Sequence, residues 1–197
     1  MPKLWHETIQ AHRSAVHEAI VDATAQLVAQ HGLLSVSMSQ IAQETGIGRA
    51  TLYKYYPDVE SILRAWHQRQ VAGHLATLSA INERDAPAGE RLAAVLAAYA
   101  DIQRERVRHD HFGPHGSELA SYVHADEAMI PAQHQLHELV CDLMTAAATE
   151  GTVRDDVAAD ELTSFCMHAL AAAAGMPSKA AVRRLVATAL RGLRPQP

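Results

Sequence analysis

The chain reads as an all-α protein of about nine helices in two domains. Three observations carry that reading. Alanine is abundant, with 37 residues against 10 glycines and 8 prolines, a balance that favours helix over a β-sandwich. Apolar residues recur at three- and four-residue spacing through nearly every segment. The stops between segments are glycine or proline. A length of 197 residues suits one domain or a small one joined to a larger one. The hydrophobic fraction of 48% is ordinary for a globular chain and excludes long disorder. The expected division is a first domain over residues 1–57 and a second over 58–197.

The elements follow in order. From Ser14 to His31, Val16, Ile20, Ala23, Leu27 and Val28 fall on one helical face, and Gly32 stands where a C-terminal cap is expected. Residues 33–39, LLSVSMS, alternate as a strand would, but the run is too short and isolated for a sheet. It leads into Ser37-x-x-Gln40, a capping box that opens a short helix stopped by Gly46. After Gly48 a second short helix covers 49–56 and ends at Pro57. Asp58 caps a helix that continues to about Asn82. Pro87 opens another, with Leu92, Val95, Leu96, Tyr99 and Ile102 on one face, fading near His109. Gly113-Pro114 is a break, and a short helix is expected around Ser117–Val123. Leu136, Leu139, Val140, Leu143, Met144 and Ala147 form the stripe of a helix from about Pro131 to Glu150. Asp160 is expected to cap a helix ending at Gly175, and Ser178 the last, which ends at Gly192.

Composition narrows the function classes. The only two cysteines, Cys141 and Cys166, form no framework and no CxxC pair, so a reducing compartment is expected. The N-terminus lacks the apolar region of a secretory signal. The longest charge-free stretch, Leu162–Ser178, falls short of a membrane span. A soluble cytoplasmic protein is expected, with no membrane partner. Net charge is −5, all of it beyond residue 70: residues 1–70 hold six cations and six carboxylates. Nucleic-acid binding by the N-terminal part is permitted by charge but not indicated by it.

Residues 37–57 carry the most specific pattern: two short helices joined by a tight glycine-containing turn, as in a helix-turn-helix. Ile41, Ala42, Ile47, Leu52 and Tyr56 supply the apolar set that packs the pair on the preceding helix. Spacing alone fits an ordinary αα-corner as well. The residues go further. IleAlaGlnGluThrGlyIleGly, ThrLeuTyrLysTyrTyrPro and GluSerIleLeu, between Met38 and Leu63, resemble the DNA-binding domain of tetracycline-repressor (TetR) family regulators. The resemblance is good over 12–65, with Thr51-Leu52-Tyr53, Tyr56 and Pro57 its most diagnostic positions. It implies that 49–56 is the recognition helix, with Arg49, Ala50, Thr51 and Lys54 at base edges and Tyr53 and Tyr55 on phosphates. Ser37, Ser39 and Gln40, at the start of the preceding helix, are further DNA-binding candidates. Two positions depart from the family pattern. Val59 stands where lysine is usual, removing one expected phosphate contact, and Gly48 stands where serine is frequent, which costs a few tenths of a kcal/mol in capping.

The same resemblance implies a helical C-terminal domain with an apolar cavity, for which Trp66, Tyr99, Phe112, Tyr122, Met129 and Met144 are the large side chains available. The last two helices interleave apolar and small residues more densely than one small domain needs. A two-fold, four-helix interface through Leu162, Phe165, Ala169, Leu170, Val182, Val186 and Ala189 is therefore expected, as the resemblance also implies. No GxSxG, Walker A or HExxH motif is present, and no cofactor is expected. The resulting expectation is a homodimeric regulator on a pseudo-palindromic double-stranded DNA operator, a repressor released by a small apolar or amphipathic effector. The competing class is a helical metal-binding protein or enzyme using His109, His111, His115, His124, His134 and His137. His134-x-x-His137-Glu138 has helical neighbour spacing, but a solvated or hydrogen-bonded surface is the better expectation, followed by polar groups of a ligand pocket and then a metal site.

Overall fold

A computed structural model describes residues 2–32, 35–109 and 130–195. Among them are eight α-helices, one 3₁₀ turn of four residues and no strand. The helices are α1 (Pro2–His31), α2 (Met38–Thr45), α3 (Arg49–Tyr55), α4 (Val59–Asn82), α5 (Ala88–His109), α6 (Ile130–Thr149), α7 (Ala159–Ala171) and α8 (Lys179–Gly192). The helix expected around Ser117–Val123 lies outside the described residues. The first helix begins at Pro2, well before the Ser14 start that its apolar stripe suggests.

Two compact units result, dividing within α4 between Gln70 and Val71. The first is held by Ile20, Val21 and Val28 of α1, Met38, Ile41 and Ala42 of α2, Leu52 of α3, Tyr56, and Ile62 and Leu63 of α4. The local chemistry expected at its joints is present. Ser37 Oγ accepts from the Gln40 backbone N–H at 3.4 Å while Gln40 Oε1 accepts from the Ser37 N–H at 2.8 Å, closing the capping box. Gly46 takes a left-handed conformation (φ 68°), sparing the penalty a Cβ would bring, and ends α2. Asp58 Oδ1 accepts from the Ser61 N–H at 2.7 Å at the start of α4.

The second unit is built around α5, which packs on α6, α7, the 3₁₀ turn and α8. Leu92, Val95, Leu96 and Ala100 of α5 meet Val140, Leu143 and Met144 of α6, Cys166 and Leu170 of α7, and Val182 and Val186 of α8. The free N–H groups at the start of α5 are met from afar: Glu150, just past α6, accepts from Ala88 at 2.9 Å and Gly89 at 3.3 Å. Ser178 caps α8 as expected, accepting from Ala181 at 3.1 Å. Asp160 does not cap α7. Ala158 holds the N-cap position without a side-chain bond, and the Asp160 carboxylate accepts a hydrogen bond from His137 Nε2 at 2.6 Å instead.

Candidate DNA interface and ligand cleft

The second helix of the α2–α3 pair is short, seven residues, and rests on one fully buried side chain, Leu52. Its N-cap Gly48 offers no side-chain bond, so Thr51 and Leu52 close the first turn on the Gly48 carbonyl at 2.8 and 3.0 Å. Tyr56 follows immediately, also buried, and Pro57 prevents the helix from continuing. Leu52 within the helix and Tyr56, its extended C-terminal cap, are the two side chains buried in the unit's core. Arg49, Ala50, Thr51, Tyr53 and Lys54 are all exposed. Tyr53, at 48% exposure, is one of three exposed large hydrophobic side chains among the described residues. Tyr55 is half-buried against the core of the first unit.

At the start of α2, Ser37, Ser39 and Gln40 are all exposed, with the Ser37 hydroxyl and Gln40 Oε1 engaged with each other in the capping box. Val59, at the position where lysine is usual, packs against the first unit's core. A side chain would fit at Gly48, whose added Cβ would meet only Thr51 Oγ1 at 4.0 Å.

Two tertiary contacts of this unit have no sequence signal. Tyr56 Oη lies 2.5 Å from Nε2 of His17 on α1, with ring centroids 5.2 Å apart. Arg69 of α4 forks across Glu18 and Asp22, which are one helical turn apart on α1. Burial works against the Arg69 charge, but its hydrogen bonds to Asp22 and Glu18 outweigh it and raise the guanidinium's pKa.

In the second unit, a cleft of about 690 Å³ opens between α5, α6 and α7. Tyr99, Leu136, Met167 and Ala171 form its apolar wall, and Gln103, Gln133, His134, His137, Ser164 and His168 add polar groups. Of the side chains expected to line a cavity, Tyr99 does. Met144 is fully buried among the core residues, and Trp66 packs against the first unit's core. Phe112, Tyr122 and Met129 lie outside the described residues. So do the His111, His115 and His124 positions and the side chain of His109. Among the described residues no three His, Cys, Asp or Glu side chains gather as a metal site requires.

The residues expected at a subunit interface separate into two groups. Leu162, Leu170, Val182, Val186 and Ala189 are buried in the protomer's own core. Phe165 is 53% exposed and Ala169 half-buried, so these two remain available. Helical spacing reveals an apolar face but not what covers it.

Short paired helices, a tight left-handed glycine turn and an exposed polar face on the second helix define a helix-turn-helix DNA-binding protein. Residues 20–66 match the family model for bacterial regulatory proteins of the tetR family, and residues 114–195 match the C-terminal domain of SbtR-like transcriptional regulators. An HTH-type transcriptional regulator of Mycobacterium bovis is 30% identical over 137 residues, covering 68% of each chain. The mycofactocin biosynthesis regulator MftR of Mycobacterium tuberculosis, itself a putative assignment, is 35% identical over 111 residues, 53% of each chain. A TetR/AcrR family regulator of Thermobifida fusca superposes with a TM-score of 0.74 at 19% identity, covering 90% of this chain and 98% of that one. FadR of Bacillus subtilis, solved with stearoyl-CoA, gives 0.64 at 14% identity over 90% and 99%. The chain belongs to the TetR family of transcriptional regulators, which bind DNA and respond to small molecules. It is a regulator and not an enzyme, which sets aside the histidine-based alternative.

Proposed function

We propose that the protein is a homodimeric cytoplasmic repressor that reads a pseudo-palindromic operator through α3 and leaves it when a small amphipathic molecule binds the second unit. In this reading residues 1–57 contact DNA, and residues 58–197 hold the effector and the dimer interface. The observation that carries it is the division of labour on α3. Leu52 and Tyr56 are spent inward, leaving Arg49, Ala50, Thr51, Tyr53 and Lys54 together on the solvent side. Arg49 and Lys54 supply donors for guanine edges, and Tyr53 and Tyr55 supply phenol hydroxyls for phosphates. Ser39 lies near enough in sequence to join them, while Ser37 and Gln40 serve the fold of α2. The mixed lining of the α5–α6–α7 cleft suits an amphipathic effector, its apolar body against Leu136, Met167 and Ala171 and its polar end among the histidines and glutamines. Phe165 and Ala169 are the interface positions that fit a second copy.

Selection of binding sites from random duplexes tests the reading. Wild type should enrich a two-fold motif with half-sites about one helical turn, or a multiple, apart. Arg49→Ala or Lys54→Ala should relax one base position and cost about 1–3 kcal/mol at the operator. Tyr53→Phe should weaken all sequences alike. A motif unchanged in both cation variants but altered in Tyr53→Phe would overturn the assignment of α3.

A further inference from the structure

The seven-residue α3 has one fully buried side chain of its own, Leu52, with Tyr55 half-buried against the core, and the direction of so short a helix is set by how its ends are held. Its C-terminal end is held by Tyr56, a buried residue that caps the helix with an extended backbone. Apolar packing of a tyrosine ring holds it in place but constrains rotation poorly, whereas a hydrogen bond to its hydroxyl is directional. That bond exists: Tyr56 Oη and His17 Nε2 are 2.5 Å apart, the rings tilted by 44°. In the tautomer carrying its proton on Nδ1, His17 accepts from the phenol O–H. His17 is itself fixed. The next residue, Glu18, and Asp22 one turn further along α1 are both gripped by Arg69 of α4. The chain of contacts therefore runs from α4 through α1 to the end of α3. The groups charged or titratable around the pair are Glu18 and Asp22 on α1 and Arg69 on α4.

We propose that His17 is a positioning residue for DNA reading: by holding the Tyr56 hydroxyl, and being held through Glu18, Asp22 and Arg69, it sets the angle at which α3 presents Arg49 and Lys54. His17 lies on α1 and spends its Nε2 on Tyr56, so its contribution in this proposal is to register and not to electrostatic attraction. Misorientation of α3 by a fraction of an ångström weakens bidentate base contacts, while phosphate contacts, being less directional, tolerate it. The signature is thus a loss of discrimination between operator and random DNA at constant affinity for random DNA. This inference rests on α3 being the recognition helix.

The test uses the full chain, with a duplex selected by the wild-type protein and a random duplex as reference. His17→Ala and Tyr56→Phe should each lower the operator-to-random affinity ratio roughly threefold to tenfold, the scale of one lost hydrogen bond. The double variant should lose no more than either single one. His17→Gln, whose amide oxygen can accept from the phenol, should restore the ratio to within about twofold. Tyr56→Phe keeps the buried ring, so it reports on the hydroxyl without emptying the core. A ratio unchanged in both single variants, additive losses in the double variant, a failed glutamine rescue, or an equal fall on random DNA would each overturn the proposal. If Arg49→Ala and Lys54→Ala also leave the selected motif unchanged, the recognition-helix reading falls with it. If those two variants alter the motif, the positioning role alone is refuted.

Discussion

The phenol of Tyr56 is pushed up to about 12, first by burial and then by the Glu18 carboxylate, with the Arg69 cation opposing. A raised folded-state pKa favours the protonated form in the native protein. Its stabilising effect is complete below the ordinary tyrosine range near 10 and is lost as pH rises towards about 12, because the unfolded chain ionises first. Alkaline denaturation should show a drop on the order of 2 kcal/mol across that window beyond what Tyr56→Phe shows. Urea titrations at pH 9 and pH 11.5 on both proteins measure it, and an equal drop in the two would refute the origin in Tyr56. Cys166 titrates upward for burial alone, to about 11, which keeps it a packed thiol in the core of the second unit.

Helix ends in this protein follow two rules. Those of α2 and α8 are settled within four residues by Ser37, Gly46 and Ser178. The start of α5 is settled by Glu150, 62 residues away from Ala88 in sequence. The same corner decides the sign of a glycine substitution. In an isolated helix, Gly89→Ala would gain up to about 1 kcal/mol. In the folded chain the added Cβ would lie 2.5 Å from Thr152 Oγ1 and 3.0 Å from Thr152 Cβ. Gly89→Ala should therefore destabilise by about 1–3 kcal/mol, lowering the melting temperature, with part of the loss recovered by adding Thr152→Ala. Calorimetry on the two variants checks it; a higher melting temperature for Gly89→Ala alone would show that Thr152 moves aside freely.

Assembly and effector response involve the molecule as a whole. Phe165 is exposed next to Gly192, whose added Cβ would stand 3.9 Å from its ring, while Leu170, five residues further along α7, is fully buried. Phe165→Glu should yield a folded monomer in sedimentation at micromolar protein, with little change in far-UV circular dichroism. Leu170→Glu should unfold the second unit, since it places a charge in an apolar core. A Phe165→Glu dimer as tight as wild type would move the interface elsewhere. For the effector, a compound that binds the DNA-free state should raise the melting temperature and weaken operator binding over the same concentration range, because both report one equilibrium. At a hundred times its Kd the stabilisation approaches about 2.7 kcal/mol. Stabilising compounds that never change operator affinity would count against release by ligand.

Much of this was legible along the chain, for a local reason. Alanine content, three- and four-residue apolar spacing, Ser37-x-x-Gln40, Gly46 and Pro57 act within a turn or two, so helices, their caps and the exposed face of α3 could be read from neighbours alone. The resemblance in 38–63 pointed to the family by the same short-range pattern. Periodicity marks a helix face as apolar without saying what it meets. Leu162, Leu170, Val182, Val186 and Ala189 looked like a surface for a second copy, and folding placed them in their own core. The Tyr56–His17 bond spans 39 residues and the Glu150 cap 62, while Asp160 left its capping role for His137, 23 residues away. Such contacts depend on how whole helices cross, and a crossing angle comes from the summed packing of many side chains, which no short window of sequence contains.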